Sequence, residues 1–187
     1  MNKTALLVID LVYDFTNENG LVFYPENKLI IPKVNEVIRT FRDNNGLVIF
    51  MQHTYRKNKY DKNLETMRPN CIEGTGGNVI DPLLDLNEET DYVIKKRRYS
   101  AFYGTDLDLV LRENNIENVI ITGTKTNCCI RSTVHDAYYN NYSVYVVKEC
   151  VATNDEVVNQ VHLNDIDKYY GKVISMNEVK NIFKESL

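Results

Sequence analysis

The chain has 187 residues, of which 43% are hydrophobic and 26% charged, and its formal net charge is −4 at neutral pH. That length fits a single domain, residues 1–187, with a sizeable core. The mild acidity gives no footprint for nucleic acid. No stretch approaches the roughly 20 apolar residues of a membrane span. The run from Ala5 to Ile9 is too short for a signal peptide before Asp10 interrupts it.

The four cysteines, Cys71, Cys128, Cys129 and Cys150, form no CxxC pair and no zinc-ligand spacing. Adjacent Cys128 and Cys129 are poorly placed for a mutual disulfide. A reduced, cytoplasmic protein is the simplest account, and the Asn141-Tyr142-Ser143 sequon is read as incidental.

In chain order, Ala5 to Ile9 is continuously apolar, as expected of a parallel strand buried on both faces. Asp10 closes it, at the sheet edge where ligands bind in open parallel sheets. A carboxylate there serves chemistry or caps a turn. Pro32 is expected in the first turn of a helix carrying Val34, Val37, Ile38 and Phe41, ended by Asn44-Asn45-Gly46. Leu47 to Met51 is the second strand. His53 lies just beyond it, and a lone histidine there is more often a hydrogen-bonded loop residue than a catalyst.

Thr54 to Gly77 is long for a loop, so it is a functional excursion or carries short structure of its own. Its segment Cys71 to Gly77 is glycine-rich but lacks the GK[ST] ending and a preceding strand, so phosphate binding is discounted. Tyr92 to Ile94 is a third strand running into Lys95-Lys96-Arg97-Arg98. Alternation puts Lys95 and Lys96 on opposite faces but does not say which face is the site. Thr105 and Asp106 open a helix with Leu107, Val110 and Leu111 as its stripe.

Ile116 to Ile121 reads as a buried strand that Gly123 breaks. Thr126 or Asn127 can cap the next helix, whose apolar face is Val134, Ala137 and Tyr138. Either Cys128 or Cys129 would then sit in a helical first turn, where free amides and the dipole favour a thiolate. A strand from Ser143 to Val147, a helix from Asp155 to Tyr169, a strand at Val173-Ile174 and a helix from Asn177 complete the chain. The order β-α-β-β-α-β-α-β-α-β-α predicts a three-layer α-β-α, Rossmann-like α/β fold with a mostly parallel sheet.

Three segments together resemble a known family. Leu7 to Phe15 is similar to a "viDxQxDF" opening, with Val12 where glutamine is usual. Lys96 to Leu107 matches "K-x-x-ySAF-x-gTdL", and Gly123 to Ile130 fits "G-v-a-T-d-v-C-V". In this order and spacing the chain resembles the isochorismatase-like cysteine hydrolases, which include nicotinamidases and N-carbamoyl amide hydrolases. The resemblance selects Cys129 over Cys128 and Lys96 over Lys95, and implies a catalytic triad of Asp10, Lys96 and Cys129. It also implies oxyanion donors at the amides of Cys129 and Lys125, exposed by a cis peptide between Thr124 and Lys125. Lys125 stands where a small residue is usual. Phe15 and Phe102, in the first two motifs, are assigned to substrate binding, and a homo-oligomer is expected.

The function this implies is hydrolysis of a small-molecule amide or related C–N bond through a thioester on Cys129. The alternatives are a true isochorismatase, which cleaves a vinyl ether without a thiol nucleophile, a nicotinamidase, and a non-enzymatic member of the fold. The family's nicotinamidases hold a divalent metal through an Asp-x-His pair after the second strand and through further histidines. Aligned from Val48, this chain offers His53 and Tyr55 there, and Asn70 before Cys71. No metal and no cofactor are therefore expected.

Overall fold

A computed structural model describes residues 3–184. The strands are β1 (Thr4–Ile9), β2 (Leu47–His53), β3 (Tyr92–Lys96), β4 (Asn118–Thr124), β5 (Ser143–Ala152) and β6 (Lys172–Ile174). The helices are α1 (Tyr13–Thr16), α2 (Pro25–Asp43), α3 (Leu107–Glu113), α4 (Arg131–Tyr139), α5 (Glu156–Tyr169) and α6 (Met176–Lys184). The strands form one six-stranded sheet in the order β3-β2-β1-β4-β5-β6, and every pairing in it is parallel. This is the doubly wound order, whose direction of winding reverses between β1 and β4. Among the described residues no helix is long and apolar enough to cross a membrane.

The central strands are buried on both faces, and alternation divides their side chains between two cores. Leu6, Val8, Val48, Phe50 and Ile120 pack with Val34, Ile38 and Phe41 of α2 and with Val179 and Phe183 of α6. Leu7, Ile9, Ile49, Met51, Val119 and Ile121 pack with α3, α4 and α5 through Leu107, Leu111, Val134, Ala137 and Leu163. The expected element order is present, with three short additions: the four-residue α1, a 3₁₀ turn at Lys62–Glu65 in the long loop, and a π turn at Thr126–Ile130.

Several boundaries differ from expectation. Helix α2 starts at Pro25, not near Pro32, which lies inside it. Pro25 fits the first turn, where its missing N–H costs nothing. An internal proline costs about 3 kcal/mol, but Ile30, Ile31, Val34, Val37 and Ile38 form one buried stripe across it. Tyr138 is not on the buried face of α4 and is largely exposed. Neither Thr126 nor Asn127 caps the thiol helix. Residues Thr126–Ile130 form a π turn with Lys125 at the cap position, and no side chain caps it.

Gly123 does not break β4 but lies within it, at a register shift against β5. Its φ is +111°, and a Cβ there would stand 2.0 Å from the carbonyl oxygen of Ile9. Only glycine lets β4 approach β1 this closely at the point where both strands end.

Gly123→Ala is expected to lower stability by about 2–5 kcal/mol, combining backbone strain with overpacking. Gly76→Ala, at φ +88° with nothing within 4 Å, should cost only about 1 kcal/mol. Urea midpoints measure both. Equal losses would mean that the approach to Ile9 is not what requires glycine.

Candidate active site

Because the sheet is wholly parallel, the ends of β1, β2, β3 and β4 share one edge. Asp10 follows β1 with a left-handed φ of 56°, and its N–H donates to the Met51 carbonyl at 2.9 Å. Lys96 ends β3, in register with His53 on β2. The two are separated by β2, so the gap is two strand spacings, about 10 Å. The extended stem of lysine closes it. Lys96 Nζ meets Asp10 Oδ2 at 2.7 Å, with both side chains 0% exposed. The same ammonium donates to the carbonyls of Arg98 at 2.9 Å and Tyr99 at 3.1 Å, and lies 3.4 Å from His53 Nδ1.

Lys95 takes the other face, as alternation requires. It is exposed and pairs with Glu73 at 2.8 Å. The buried cation of the basic run is therefore Lys96.

Cys129 is buried in the π turn that leads into α4. Such turns often mark functional sites. Its thiol feels the charges of both Asp10 and Lys96, and the neighbouring Cys128 thiol, which also lines the cavity, is pushed down by its interaction with Cys129 against the opposing effect of burial. The Cys129 carbonyl accepts from Thr133 Oγ1 at 2.7 Å, and Thr133 Oγ1 accepts from the Ala101 N–H at 3.0 Å. The Ser100-Ala101-Phe102 segment is thus tied to the start of the thiol helix. The Thr124–Lys125 peptide is cis.

The electrostatics follow from burial. Desolvation pushes the Asp10 carboxyl well above its ordinary range, Lys96 pulls it back, and Cys129 raises it again. Burial works against the charge of Lys96, but Asp10 and Cys129 outweigh it and hold the ammonium firm. The hydrogen bond with Cys128 and then burial push the Cys129 thiol well up, against the pull of Lys96. Lys96 thus opposes, at both Asp10 and Cys129, the penalty that burial puts on the ionised form. His53 is driven well down by burial and then by Lys96 and Arg98. It is neutral, and its Nδ1 can accept from Lys96.

A cavity of about 450 Å³ opens over Cys129. Phe15 lines it, together with Tyr24, His53, Met67, Arg68, Tyr99, Lys125 and Cys128. Phe102 does not line it, and its ring lies 5.8 Å from that of Tyr142. The sequence reading missed Tyr24, Met67, Arg68 and Tyr99. Tyr24 hydrogen-bonds Thr124 Oγ1, a contact between positions 100 residues apart that no local pattern announces. Met67 and Arg68 come from the long loop after β2, whose length was the signal available.

The residues at the position of the family's nicotinamidase metal do not fit one. Nδ1 of His53 faces an ammonium, which would repel a cation. The Tyr55 phenol is pushed up to about 12 by burial and stays protonated. Asn70 donates to the Arg68 carbonyl at 2.7 Å, and its buried Oδ1 has no hydrogen-bond partner. Among the described residues no three His, Cys, Asp or Glu groups are placed to hold a metal ion, and a stable site usually needs three or more ligands.

The family model for the isochorismatase domain matches residues 4–178, and the chain belongs to that family. A probable inactive nicotinamidase of Arabidopsis thaliana is 32% identical over 94% of each chain. An isochorismatase-like hydrolase structure from Alkaliphilus metalliredigens is 34% identical, covers 95% of this chain and 97% of its own, and superposes with a TM-score of 0.88. The N-carbamoylsarcosine amidase structure from Thermoplasma acidophilum is 31% identical, with coverage of 94% and 98% and a TM-score of 0.82.

Removing the ammonium should raise the pKa of both Asp10 and Cys129, because Lys96 lowers each. Lys96→Ala is therefore expected to slow alkylation of Cys129 by iodoacetamide near neutral pH at least about tenfold. It should also move the acid limb of the alkylation–pH profile upward. Lys95→Ala should leave rate and profile close to wild type. Equal effects from the two variants would reduce the basic run to a diffuse field.

Proposed function

We propose that this protein hydrolyses a small amide or related C–N bond, with Cys129 as nucleophile, Asp10 as general base and acid, and Lys96 as the fixed cation. The observation that carries this reading is the fully buried 2.7 Å Lys96–Asp10 pair beside a thiol on the cavity wall. An amidase relative of 31% identity supports the reaction class.

The substrate carbonyl enters over Cys129. Its sulfur attacks the carbonyl carbon as the thiol proton passes to Asp10. Asp10 is suited to this because burial raises its affinity for a proton while Lys96 keeps it able to ionise. The backbone amides of Cys129 and Lys125 are assigned to the oxyanion of the tetrahedral intermediate. Asp10 then returns the proton to the leaving nitrogen, the C–N bond breaks, and a thioester remains on Cys129. Water adds to the thioester, giving up its proton to Asp10, and the sulfur leaves as the acid product is released. Throughout, Lys96 stabilises whichever of Asp10 and Cys129 carries the negative charge. Phe15 belongs to the substrate wall, and Phe102 is assigned to supporting the thiol helix rather than to binding substrate.

Cys129→Ala is expected to abolish turnover, and Cys128→Ala to retain most of it. Mass spectrometry after limited alkylation should find Cys129 labelled first. Loss of activity that tracks labelling of Cys128 would move the nucleophile to that residue.

Turnover is also expected to be independent of metal, with nicotinamide a poor substrate, because the donor set around His53 cannot hold a metal to anchor a pyridine ring. The similarity to a probable inactive nicotinamidase supports this expectation. Ammonia release from a panel of small amides, with and without chelator, tests it. Nicotinamide hydrolysis that a chelator removes would overturn the reading.

A further inference from the structure

One aromatic side chain on the cavity wall, Tyr24, grips both residues that flank the peptide assigned to the oxyanion. Residues 21–24 all line the cavity, and Tyr24 ends that segment. A residue before proline is kept out of the helical region, and Tyr24 is extended, with φ −145° and ψ 144°. Pro25 then opens the 19-residue α2, whose Asn27 side chain donates to the Phe15 carbonyl at 2.9 Å. The Tyr24 ring is thus mounted on the start of a long, packed helix.

The ring reaches the turn between β4 and the thiol helix. Tyr24 Oη hydrogen-bonds Thr124 Oγ1. Thr124 is buried and donates its one hydroxyl proton to the Ala152 carbonyl at 3.4 Å, so Tyr24 is the donor. Burial pushes the phenol well up and keeps it protonated for that role. The same ring carries the Lys125 ammonium 5.6 Å from its centre. Hydroxyl and ring therefore hold two consecutive side chains, and the Thr124–Lys125 peptide lies between them. The Lys125 carbonyl accepts from the Cys128 N–H at 2.9 Å and the Ile130 N–H at 3.2 Å, so the thiol turn is fastened to the same residue.

We propose that Tyr24 is a positioning residue that fixes the Lys125 N–H for the oxyanion formed at Cys129. It acts through Thr124 and Lys125 and takes no proton in the reaction. A donor stabilises an oxyanion only when it is held where the charge develops, and Tyr24 restrains the turn through two side chains at once. This inference rests on the amide-hydrolase reading and adds the group that holds the amide in place, so its test is built on a tetrahedral adduct rather than on turnover.

Butyraldehyde supplies the adduct. The Cys129 sulfur bonds to the aldehyde carbon, the carbonyl double bond becomes a C–O single bond, and the thiol proton ends on that oxygen. The adduct protects Cys129 against iodoacetamide. Alkylation itself is a displacement at a saturated carbon, which needs no oxyanion donor and reports the thiolate. The proteins compared are wild type, Tyr24→Phe, Thr124→Val, their double variant and Lys125→Met, each referred to its own unprotected alkylation rate. Tyr24→Phe and Thr124→Val are each expected to need roughly threefold to tenfold more butyraldehyde for half-protection, the worth of one hydrogen bond. Their unprotected alkylation should stay close to wild type. The double variant should be no worse than the weaker single variant, because both remove the same bond. Lys125→Met keeps the peptide and should need about threefold more aldehyde.

Unchanged protection in Tyr24→Phe, additive losses in the double variant, or alkylation that slows in step with protection overturns the proposal. So does loss of all protection in Lys125→Met, which would place the aldehyde on the ammonium as an imine. If protection depends on Tyr24 but no amide is hydrolysed, the reaction assignment fails and the positioning role stands. If amides are hydrolysed and Tyr24→Phe is protected like wild type, the positioning role fails alone. If butyraldehyde does not protect wild type, the nucleophile assignment and the positioning role fall together.

Discussion

Taking an ammonium and a carboxylate wholly out of water costs several kcal/mol for each ion, and their attraction repays this only with close geometry and further hydrogen bonds. The Lys96–Asp10 pair has a 2.7 Å contact and two carbonyls that accept from the ammonium, while the carboxylate has no further hydrogen-bond partner among the described residues. This contact constrains much of the sheet edge. The β3-β2-β1 order sets the span, and the lysine stem closes it over His53. Asp10 itself holds a left-handed backbone conformation just past β1. Breaking either partner would strand a buried charge, so this contact is a structural commitment before it is a chemical one.

That commitment also governs the thiol. With Lys96 held as an ammonium, the buried pocket accommodates one negative charge beside it and resists a second. In the proposed mechanism Asp10 and Cys129 exchange one proton, and its transfer would change where the anion sits without changing how much charge is buried. Placement at the reversal point of the sheet makes this possible, because β1 and β4 are neighbours there and diverge beyond it.

Much of this was legible in the sequence, for physical reasons. A short continuous apolar run such as Ala5 to Ile9 suits a strand covered on both faces, and alternation through Tyr92-Val93-Ile94 correctly separates Lys95 from Lys96. What was not legible depends on tertiary contact. Pro32 reads as a helix start because propensity is local, whereas the buried stripe that carries α2 across it is not. Gly123 looks like a strand breaker until the carbonyl of Ile9 is seen pressed against it. Phe102 belongs to a motif, yet the motif says nothing about which way its ring faces, and it turns to Tyr142. Tyr24 and Arg68 reach the cavity from loops with no periodic pattern.

The loop between β2 and β3 shows how that wall is held. Glutamine is usual at position 12 by resemblance, and this chain has Val12, which packs with Tyr55 and Cys71 in a small buried cluster. The backbone of Tyr55 exchanges hydrogen bonds with the loop at Cys71 and Glu73, each at 2.9 Å. Asp14 reaches in from α1, and its Oδ2 accepts from the Cys71 N–H at 2.6 Å. Asp61 anchors the far side through Arg98. A buried carboxylate, an apolar cluster and an ion pair thus fix the loop through protein groups alone. A metal there would duplicate a constraint already met, and it would have to sit beside the ammonium of Lys96. The same constraints bring Met67 and Arg68 to the cavity wall.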